Sequence, residues 1–307
     1  MAHQKHKVFI TGAGGFLGSH LCDAFLAEGF EVCGTVLSGD KRLTHLKSHP
    51  HFKTTSLDLT DAEKTTKAVA AYAPDALVHA AAYNPEKPVT SPLPYFEGNE
   101  RATVSVLNAA HSAGVKKLVY VSSMSVYDKK QLTLPVSENN PVHPSDFYSV
   151  TKYLGEEWCK LYGELFAIHT TILRCAGIYG PRREYGAVSA FIEHARVGRP
   201  LELERNIGWD LVYVKDVAAA VVQSCKATDL PSGEILNIGS GIETNIEELA
   251  RLVIREVNPK ATVRLGSKFC STPSSHFYFD ISKARKFLSF KPTVLEKGIR
   301  ETAKSSV

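Results

Sequence analysis

Through roughly its first 180 residues the chain alternates short apolar runs with longer stretches of helical periodicity. The apolar runs at 7–11, 31–36, 53–57, 76–80, 117–122 and 168–173 predict strands. The stretches near 16–28, 61–73, 95–113 and 147–164 predict helices. Apolar strands separated by helices point to a parallel, doubly wound sheet, because each crossover lays a helix over one face. Beyond that point the pattern is mixed. Helical periodicity recurs near 186–197, 216–227, 244–257 and 282–288, with short strands between, and Pro181, Pro200, Pro231 and Pro273 punctuate the stretch. Neither a linker nor a repeat separates the parts. The expectation is an α/β core over 1–180 and a smaller C-terminal lobe over 181–307, folded onto the sheet and returning some segments to the core. Ligands are expected outside the carboxyl ends of the strands, between sheet and lobe.

An apolar share of 44% and a charged share of 22% over 307 residues suit one large α/β domain or a core with a lobe. The net charge of +4 is too small to argue for nucleic acid, and the basic residues cluster only as pairs such as Lys116-Lys117, Lys129-Lys130 and Arg182-Arg183. Cysteines at 22, 33, 159, 175, 225 and 270 form no CxxC and no readable metal or disulfide framework. Cys22, Cys33 and Cys175 fall inside core segments, where a thiol acts as a small apolar group. Met1 to His6 lead straight into the first strand, leaving no room for a signal peptide, and no apolar run approaches a membrane span. A soluble, cytoplasmic protein is expected.

The first strand runs into Thr11-Gly12-Ala13-Gly14-Gly15-Phe16-Leu17-Gly18, and a helix candidate follows. Gly12, Gly15 and Gly18 have the spacing GxxGxxG. Without side chains the backbone can turn tightly, approach a pyrophosphate and let the helix pack close to the strand. The start of that helix, at Phe16 and Leu17, offers N–H groups and a partial positive charge to phosphates. A glycine-rich turn alone is ordinary. A strand before it and a helix after it make this one a dinucleotide-binding candidate.

A second constellation begins where Leu118-Val119-Tyr120-Val121 enters Ser122-Ser123-Met124-Ser125-Val126-Tyr127. Downstream, Tyr148-Ser149-Val150-Thr151-Lys152 sets a tyrosine and a lysine on one helix face, one turn apart. A protonated lysine beside a phenol favours the phenolate, lowering a pKa that is ordinarily about 10. Such a tyrosine can take or give the proton of an alcohol/carbonyl pair, and a strand-end serine can hydrogen-bond the same oxygen. By itself YxxxK also describes an amphipathic helix with a surface lysine. The glycine motif and the serine cluster favour the chemical reading.

In these features the chain resembles the extended short-chain dehydrogenases/reductases of the NAD-dependent epimerase/dehydratase type. The resemblance covers nearly the whole chain. It takes in Thr11 to Gly18, Asp58-Leu59, Val78-His79-Ala80-Ala81-Ala82, Asn99, Ser122-Ser123 with Val126-Tyr127, and Tyr148 with Lys152. Further on it includes Leu173-Arg174, Ile178 to Pro181, Val212 to Val217, Asn237 to Gly241 and Asp280 to Ala284. It implies a Rossmann-type doubly wound sheet with a smaller C-terminal substrate lobe. It implies Tyr148 as general acid/base, Lys152 as the group that tunes it and holds the nicotinamide ribose, and Ser123 as the catalytic hydroxyl. Asp58 and Leu59 are expected by the adenine. Ala80, Ala81 and Ala82 are expected along the adenosine ribose and pyrophosphate, and Asn99 in the helix beside the active site. Ser125 is expected with Ser123 near the substrate. His79 reads as a packed strand residue.

Some positions depart from the family pattern. A NAD-preferring site usually ends its second strand with Asp or Glu, whereas Cys33-Gly34-Thr35-Val36-Leu37-Ser38 offers no acid there. Ser38, Lys41 and Arg42 can receive a 2′-phosphate, or Lys41 and Arg42 are solvated loop residues. The cofactor is therefore NAD or NADP, with a lean to NADP. Met124 and Ser125 stand where the family's 4,6-dehydratases carry an Asp-Glu pair. Methionine moves no proton, so dehydration is not expected. Gly177 and Trp209 stand where many sugar-nucleotide members have Asn and Arg. Both are counted as substrate contacts, although an indole stacks on rings and cannot replace a guanidinium on a phosphate.

The leading expectation is an NAD(P)-dependent sugar-nucleotide epimerase-like enzyme, transferring hydride at a secondary alcohol or ketone. The alternative is an NAD(P)H-dependent ketoreductase acting on a 4-keto sugar nucleotide or another small carbonyl compound. The changes at 177 and 209 favour the alternative, and the C-terminal lobe motifs favour the first. The expected partner is a nucleotide sugar, with no nucleic acid, membrane or metal. A homodimer is expected through helices 95–113 and 147–164, with Val104, Leu107, Leu154, Trp158 and Leu161 serving the interface or the core.

Overall fold

The computed structural model describes residues 6–37, 39, 41–85, 90–272 and 274–305. Its first elements are β1 (Lys7–Thr11), α1 (Phe16–Ala27), β2 (Glu31–Val36), β3 (Phe52–Ser56), α2 (Ala62–Tyr72) and β4 (Ala76–His79). A short α3 (Leu93–Tyr95) leads through a π turn (Phe96–Arg101) into α4 (Ala102–Ser112), β5 (Lys117–Ser123), α5 (Phe147–Phe166) and β6 (His169–Cys175). The chain continues with β7 (Gly177–Tyr179), α6 (Ala187–Arg196), β8 (Leu201–Leu203), β9 (Gly208–Tyr213), α7 (Val214–Lys226) and β10 (Glu234–Ile238). It closes with β11 (Glu243–Asn245), α8 (Ile246–Val257), β12 (Val263–Leu265), α9 (Ser282–Leu288) and α10 (Leu295–Lys304).

Seven strands form one sheet in the order β10-β6-β5-β4-β1-β2-β3. The pairs β1–β2, β2–β3, β1–β4 and β4–β5 are all parallel. The chain winds outward from β1 to β3 and then returns to β4 on the other side of β1. The order of the strands therefore reverses between β1 and β4, which sets the segments that leave these two strands side by side.

Two compact units share the chain. The first comprises Met1–Gln131, Pro141–Arg174 and Ala218–Leu236, and the second Leu132–Asn140, Cys175–Val217 and Asn237–Val307. Phe9, Leu77, Val106, Leu107, Leu118, Tyr120, Cys159 and Ile172 pack into the core of the first. Each fully buried large apolar side chain of this kind stabilises the fold by about 1.5–3 kcal/mol. The second unit has a three-stranded sheet, β11-β9-β7, and a two-stranded one, β12-β8. Within it α8 starts at a reciprocal cap, Asn245 accepting from the Glu248 N–H while Glu248 accepts from the Asn245 N–H. Among the described residues no helix is long and apolar enough to cross a membrane.

The helix expected over 95–113 is interrupted by the π turn, and α10 has no counterpart in the sequence reading. Leu107, a candidate interface residue, is 1% exposed and belongs to the core instead.

Candidate active site

The first unit carries the glycine turn, the strand-end serines and the Tyr-Lys pair. Gly12 adopts a positive φ of 71°, and a Cβ there would lie 2.7 Å from the Ala81 Cα. The β1 turn and the segment after β4 thus meet backbone to backbone, which only glycine permits. The Gly12 N–H donates to Thr35 Oγ1 at 3.1 Å and the Ala13 N–H to the Thr35 carbonyl at 2.9 Å, pinning the turn to β2. Gly18 faces the Gly12 carbonyl so closely that any side chain would overlap it. Gly15 is exposed, and α1 begins there with no side-chain cap and no acidic residue in its first turn. A helix start left in that state is suited to an anion.

The other expected dinucleotide contacts lie as follows. Arg42 Nη1 donates to the Gly14 carbonyl at 3.4 Å, so its guanidinium reaches the glycine turn, whereas Lys41 is exposed. Ser38 lies outside the described residues. Asp58 is exposed and accepts from the N–H and hydroxyl of Thr60 at 2.9 and 2.8 Å, while Leu59 is buried. Ala80 and Ala81 are half-buried and donate their N–H groups to Thr11 Oγ1, each at 3.2 Å; Ala82 is exposed.

Ser123 ends β5, and its Oγ accepts from the Ser125 N–H at 3.2 Å and from the Ser125 hydroxyl at 3.0 Å. The start of α5 is held by a reciprocal cap: the Ser149 N–H donates to Asp146 Oδ1 at 2.7 Å, and the Asp146 N–H to Ser149 Oγ at 3.1 Å. That cap fixes the first turn, which carries Tyr148, half-buried, with Lys152 buried one turn on. Asn99, within the π turn, braces the same helix. Its amide donates to Thr151 Oγ1 and to the Tyr83 carbonyl, both at 3.0 Å, and its Oδ1 accepts the Tyr83 N–H at 2.5 Å. Thr151 in turn donates to the Tyr148 carbonyl at 2.9 Å.

His79 sits behind this surface, fully buried. Thr11 Oγ1 already accepts from two backbone N–H groups, so its own proton goes to His79 Nδ1, 2.7 Å away. The imidazole proton is then on Nε2, donated to Thr103 Oγ1 at 3.0 Å. Burial, and secondarily the Lys152 charge, push its pKa down to about 3. His79 is a neutral packed strand residue, as the sequence reading has it.

Glu156 of this unit was not singled out by sequence. Glu156, one turn beyond Lys152, accepts the Ser122 hydroxyl at 2.5 Å and pairs with Arg174 through Nε at 3.0 Å and Nη2 at 2.6 Å. Both partners are buried, and they tie α5 to the ends of β5 and β6. The spacing of Glu156 from Lys152 matches that of Lys152 from Tyr148, a signal available in the sequence.

In the second unit, a Cβ on Gly177 would lie 3.0 Å from both Trp209 Cδ1 and the Asp210 carbonyl. The missing side chain at 177 and the large one at 209 are therefore one packing arrangement. Asp210, fully buried, accepts from the Ser240 N–H and hydroxyl at 2.7 Å and from the Gly241 and Phe279 N–H groups at 3.1 and 3.2 Å. Its pKa is raised by burial, against which these bonds act.

Known proteins resemble this chain along nearly their whole length. The UDP-glucose 4-epimerase of Mycolicibacterium smegmatis is 31% identical to this chain, over 96% of this chain and 97% of that one. The solved UDP-glucose 4-epimerase of Thermotoga maritima with UDP-glucose superposes with a TM-score of 0.86 at 25% identity, covering 97% of each chain. The UDP-glucuronic acid 4-epimerase of Bacillus cereus, solved with UDP-glucuronic acid and NAD, gives 0.85 at 27% identity, covering 97% of this chain and 98% of that one. The sequence also matches the family model over residues 8–239, three quarters of its length, and the chain belongs to the NAD dependent epimerase/dehydratase family.

Proposed function

We propose that this chain is a nucleotide-sugar 4-epimerase that keeps NAD bound and acts on a UDP-hexose. One observation carries the reading: a strand-end serine and a helix-start Tyr-Lys pair share one unit with a glycine turn that opens an uncapped helix. Relatives named UDP-glucose 4-epimerase support it along nearly their whole length.

The residues fit a dinucleotide. Gly15, exposed at the start of α1, leaves room for a pyrophosphate against the first turn at Phe16 and Leu17, while Gly12 and Gly18 let the turn close on Ala81 and on the Gly12 carbonyl. In this reading Asp58 and Leu59 face the adenine, Ala80 to Ala82 the adenosine ribose, and Lys152 the nicotinamide ribose. Bound there, the dinucleotide supplies reversible two-electron oxidation of a secondary alcohol. Tyr148 Oη takes the hydroxyl proton as the sugar carbonyl forms and returns it as the alcohol re-forms. The Lys152 ammonium stabilises the phenolate between those steps. Ser123 Oγ donates to the same sugar oxygen, steadied by Ser125. Gly177 and Trp209 are proposed substrate contacts of the second unit, and Asn99 serves the site through its brace on α5.

NAD is the cofactor of this reading, against the lean to NADP drawn from the end of β2. The relatives solved with NAD support that choice. Arg42, turned to the glycine turn, is accounted for without a 2′-phosphate.

We place the enzyme in the cytoplasm and as a homodimer. Along α5, Phe147, Val150, Leu154, Leu161 and Leu165 stand exposed at helical spacing, beside exposed Leu93 and Phe96. Such a stripe suits a second copy across a two-fold axis. Val104 is half-buried, and Trp158 is half-buried with its indole N–H on Glu100 at 2.5 Å, so Leu154 and Leu161 are the better anchors. Light scattering at micromolar concentration checks it: a dimer that Leu154→Asp with Leu161→Asp splits is expected, and a wild-type monomer overturns the assembly.

The function is tested by incubating the purified protein with UDP-galactose. Conversion to UDP-glucose without net change in nicotinamide absorbance is expected. Sustained consumption of added NADH or NADPH, mole for mole with product, would instead make it a reductase.

A further inference from the structure

Behind Lys152 three side chains stand in register across the sheet: Thr11 on β1 beside His79 on β4, and His79 beside Tyr120 on β5. Side chains in register on parallel strands project from the same face. The rings of His79 and Tyr120 lie 5.6 Å apart. Lys152 Nζ stands 4.2 Å from the centroid of the Tyr120 ring, within the range at which the negative face of an aromatic ring attracts an ammonium. Tyr120 is 1% exposed, so water screens that attraction little. The ring is also held in place. Its hydroxyl bonds with Thr103 and approaches the Lys152 carbonyl at 3.5 Å, and α5 carries Gly155 where the ring needs space.

We propose that Tyr120 is a positioning residue for Lys152: the face of its ring holds the ammonium where it tunes Tyr148. The proposal rests on the reading of Tyr148 and Lys152 as the proton-handling pair.

The titratable groups around Lys152 come from three elements. Tyr148, Glu156 and Cys159 lie on α5, His79 on β4 and Tyr120 on β5. Glu156 is engaged with Arg174 from β6. His79 stays neutral, so it adds no competing positive charge. Burial holds the Cys159 thiol and the Tyr120 phenol in their protonated forms well above neutral pH. The Tyr120 ring therefore stabilises the ammonium without titrating itself. Removing it moves Lys152, and through it Tyr148, while leaving every formal charge in place.

The test reads the Tyr148 phenolate directly. Wild type, Tyr120→Phe and Tyr120→Leu are each paired with the same protein carrying Tyr148→Phe, and the difference in near-ultraviolet phenolate absorbance is followed against pH without substrate. Tyr120→Leu is expected to raise the Tyr148 midpoint by about one pH unit, because it loses the ring face. Tyr120→Phe keeps the ring and is expected to hold the midpoint within about 0.3 unit. Tyr120→Met, unbranched and apolar, is expected to follow Tyr120→Leu and serves if that variant does not fold. An unchanged midpoint in a folded Leu or Met variant overturns the proposal. So does an equal shift in Tyr120→Phe, which would assign the effect to the hydroxyl. The midpoint needs no turnover, so a protein that fails to interconvert UDP-hexoses removes the proposed function without touching this result.

Discussion

The Tyr120 ring occupies the space that a side chain at Gly155 would need: a Cβ on Gly155 would fall 2.5 Å from Tyr120 Cζ. In an ordinary helix interior, glycine to alanine stabilises by about 1 kcal/mol. Here the neighbour is a buried ring with no freedom to swing aside. Gly155→Ala is therefore expected to destabilise by about 1–3 kcal/mol, seen as a lowered thermal midpoint. An unchanged or raised midpoint would show that the ring yields.

The buried pair Glu156–Arg174 gives a second expectation. Removing one partner strands the other charge away from water, which costs about 3–5 kcal/mol. Arg174→Met should lose that much in denaturant unfolding. Arg174→Met combined with Glu156→Gln should recover a large part of it, because no charge is then left buried. Equal loss in the single and double variants would mean that shape, not charge, sets the cost.

His79 makes stability depend on pH. Unfolded, it gains a proton below its ordinary 6.5; folded, only near about 3. Between those values the unfolded chain binds the extra proton, so stability falls as pH falls, by up to about 1.4 kcal/mol per pH unit from this group. Glu100, Glu138, Asp210 and Asp216, whose pKa values burial raises, act in the opposite sense. The comparison is therefore between wild type and His79→Gln. A shallower slope in the variant from pH 6.5 down to about 4 is expected, and identical slopes would contradict the buried neutral imidazole.

Much of this was legible in the sequence because it is local. The alternation of apolar and helical stretches gave β1 and β2 at their observed bounds, and the glycine spacing marked the turn between β1 and α1. The Tyr-Lys spacing lies within a single helix turn and needs no tertiary knowledge. What escaped is non-local. The π turn at Phe96–Arg101 answers to Asn99 reaching Tyr83 and Thr151, a contact that no periodicity encodes. Tyr120 read as one more apolar strand residue, since its neighbours His79 and Lys152 come from distant segments. The pairing of β11, β9 and β7 places Trp209 against Gly177, so two separate departures proved to be one contact.

The glycine turn offers a steric test of cofactor binding. At Gly15, which is exposed, a Cβ would meet the Gly12 carbonyl at 3.1 Å, a contact that a shift of a few tenths of an ångström in the turn relieves. Gly15→Val is expected to keep its thermal midpoint within a few degrees while losing NAD binding by at least about tenfold, measured by calorimetry on the stripped protein. Wild-type affinity in the variant would remove the pyrophosphate from this turn. Lys41→Ala with Arg42→Ala, measured in parallel, is expected to leave NAD preferred over NADP.

The proposed role of Tyr148 is to move the proton while oxidation and reduction close on themselves. Its most direct measurement is the interconversion of UDP-galactose and UDP-glucose by wild type and Tyr148→Phe, with nicotinamide absorbance followed in the same cuvette. The phenylalanine keeps the ring and loses only the hydroxyl. Wild type is expected to interconvert the sugars with no net absorbance change, and Tyr148→Phe to retain bound NAD while turning over about 10²-fold or more slowly. Full activity in Tyr148→Phe would contradict this role for the tyrosine.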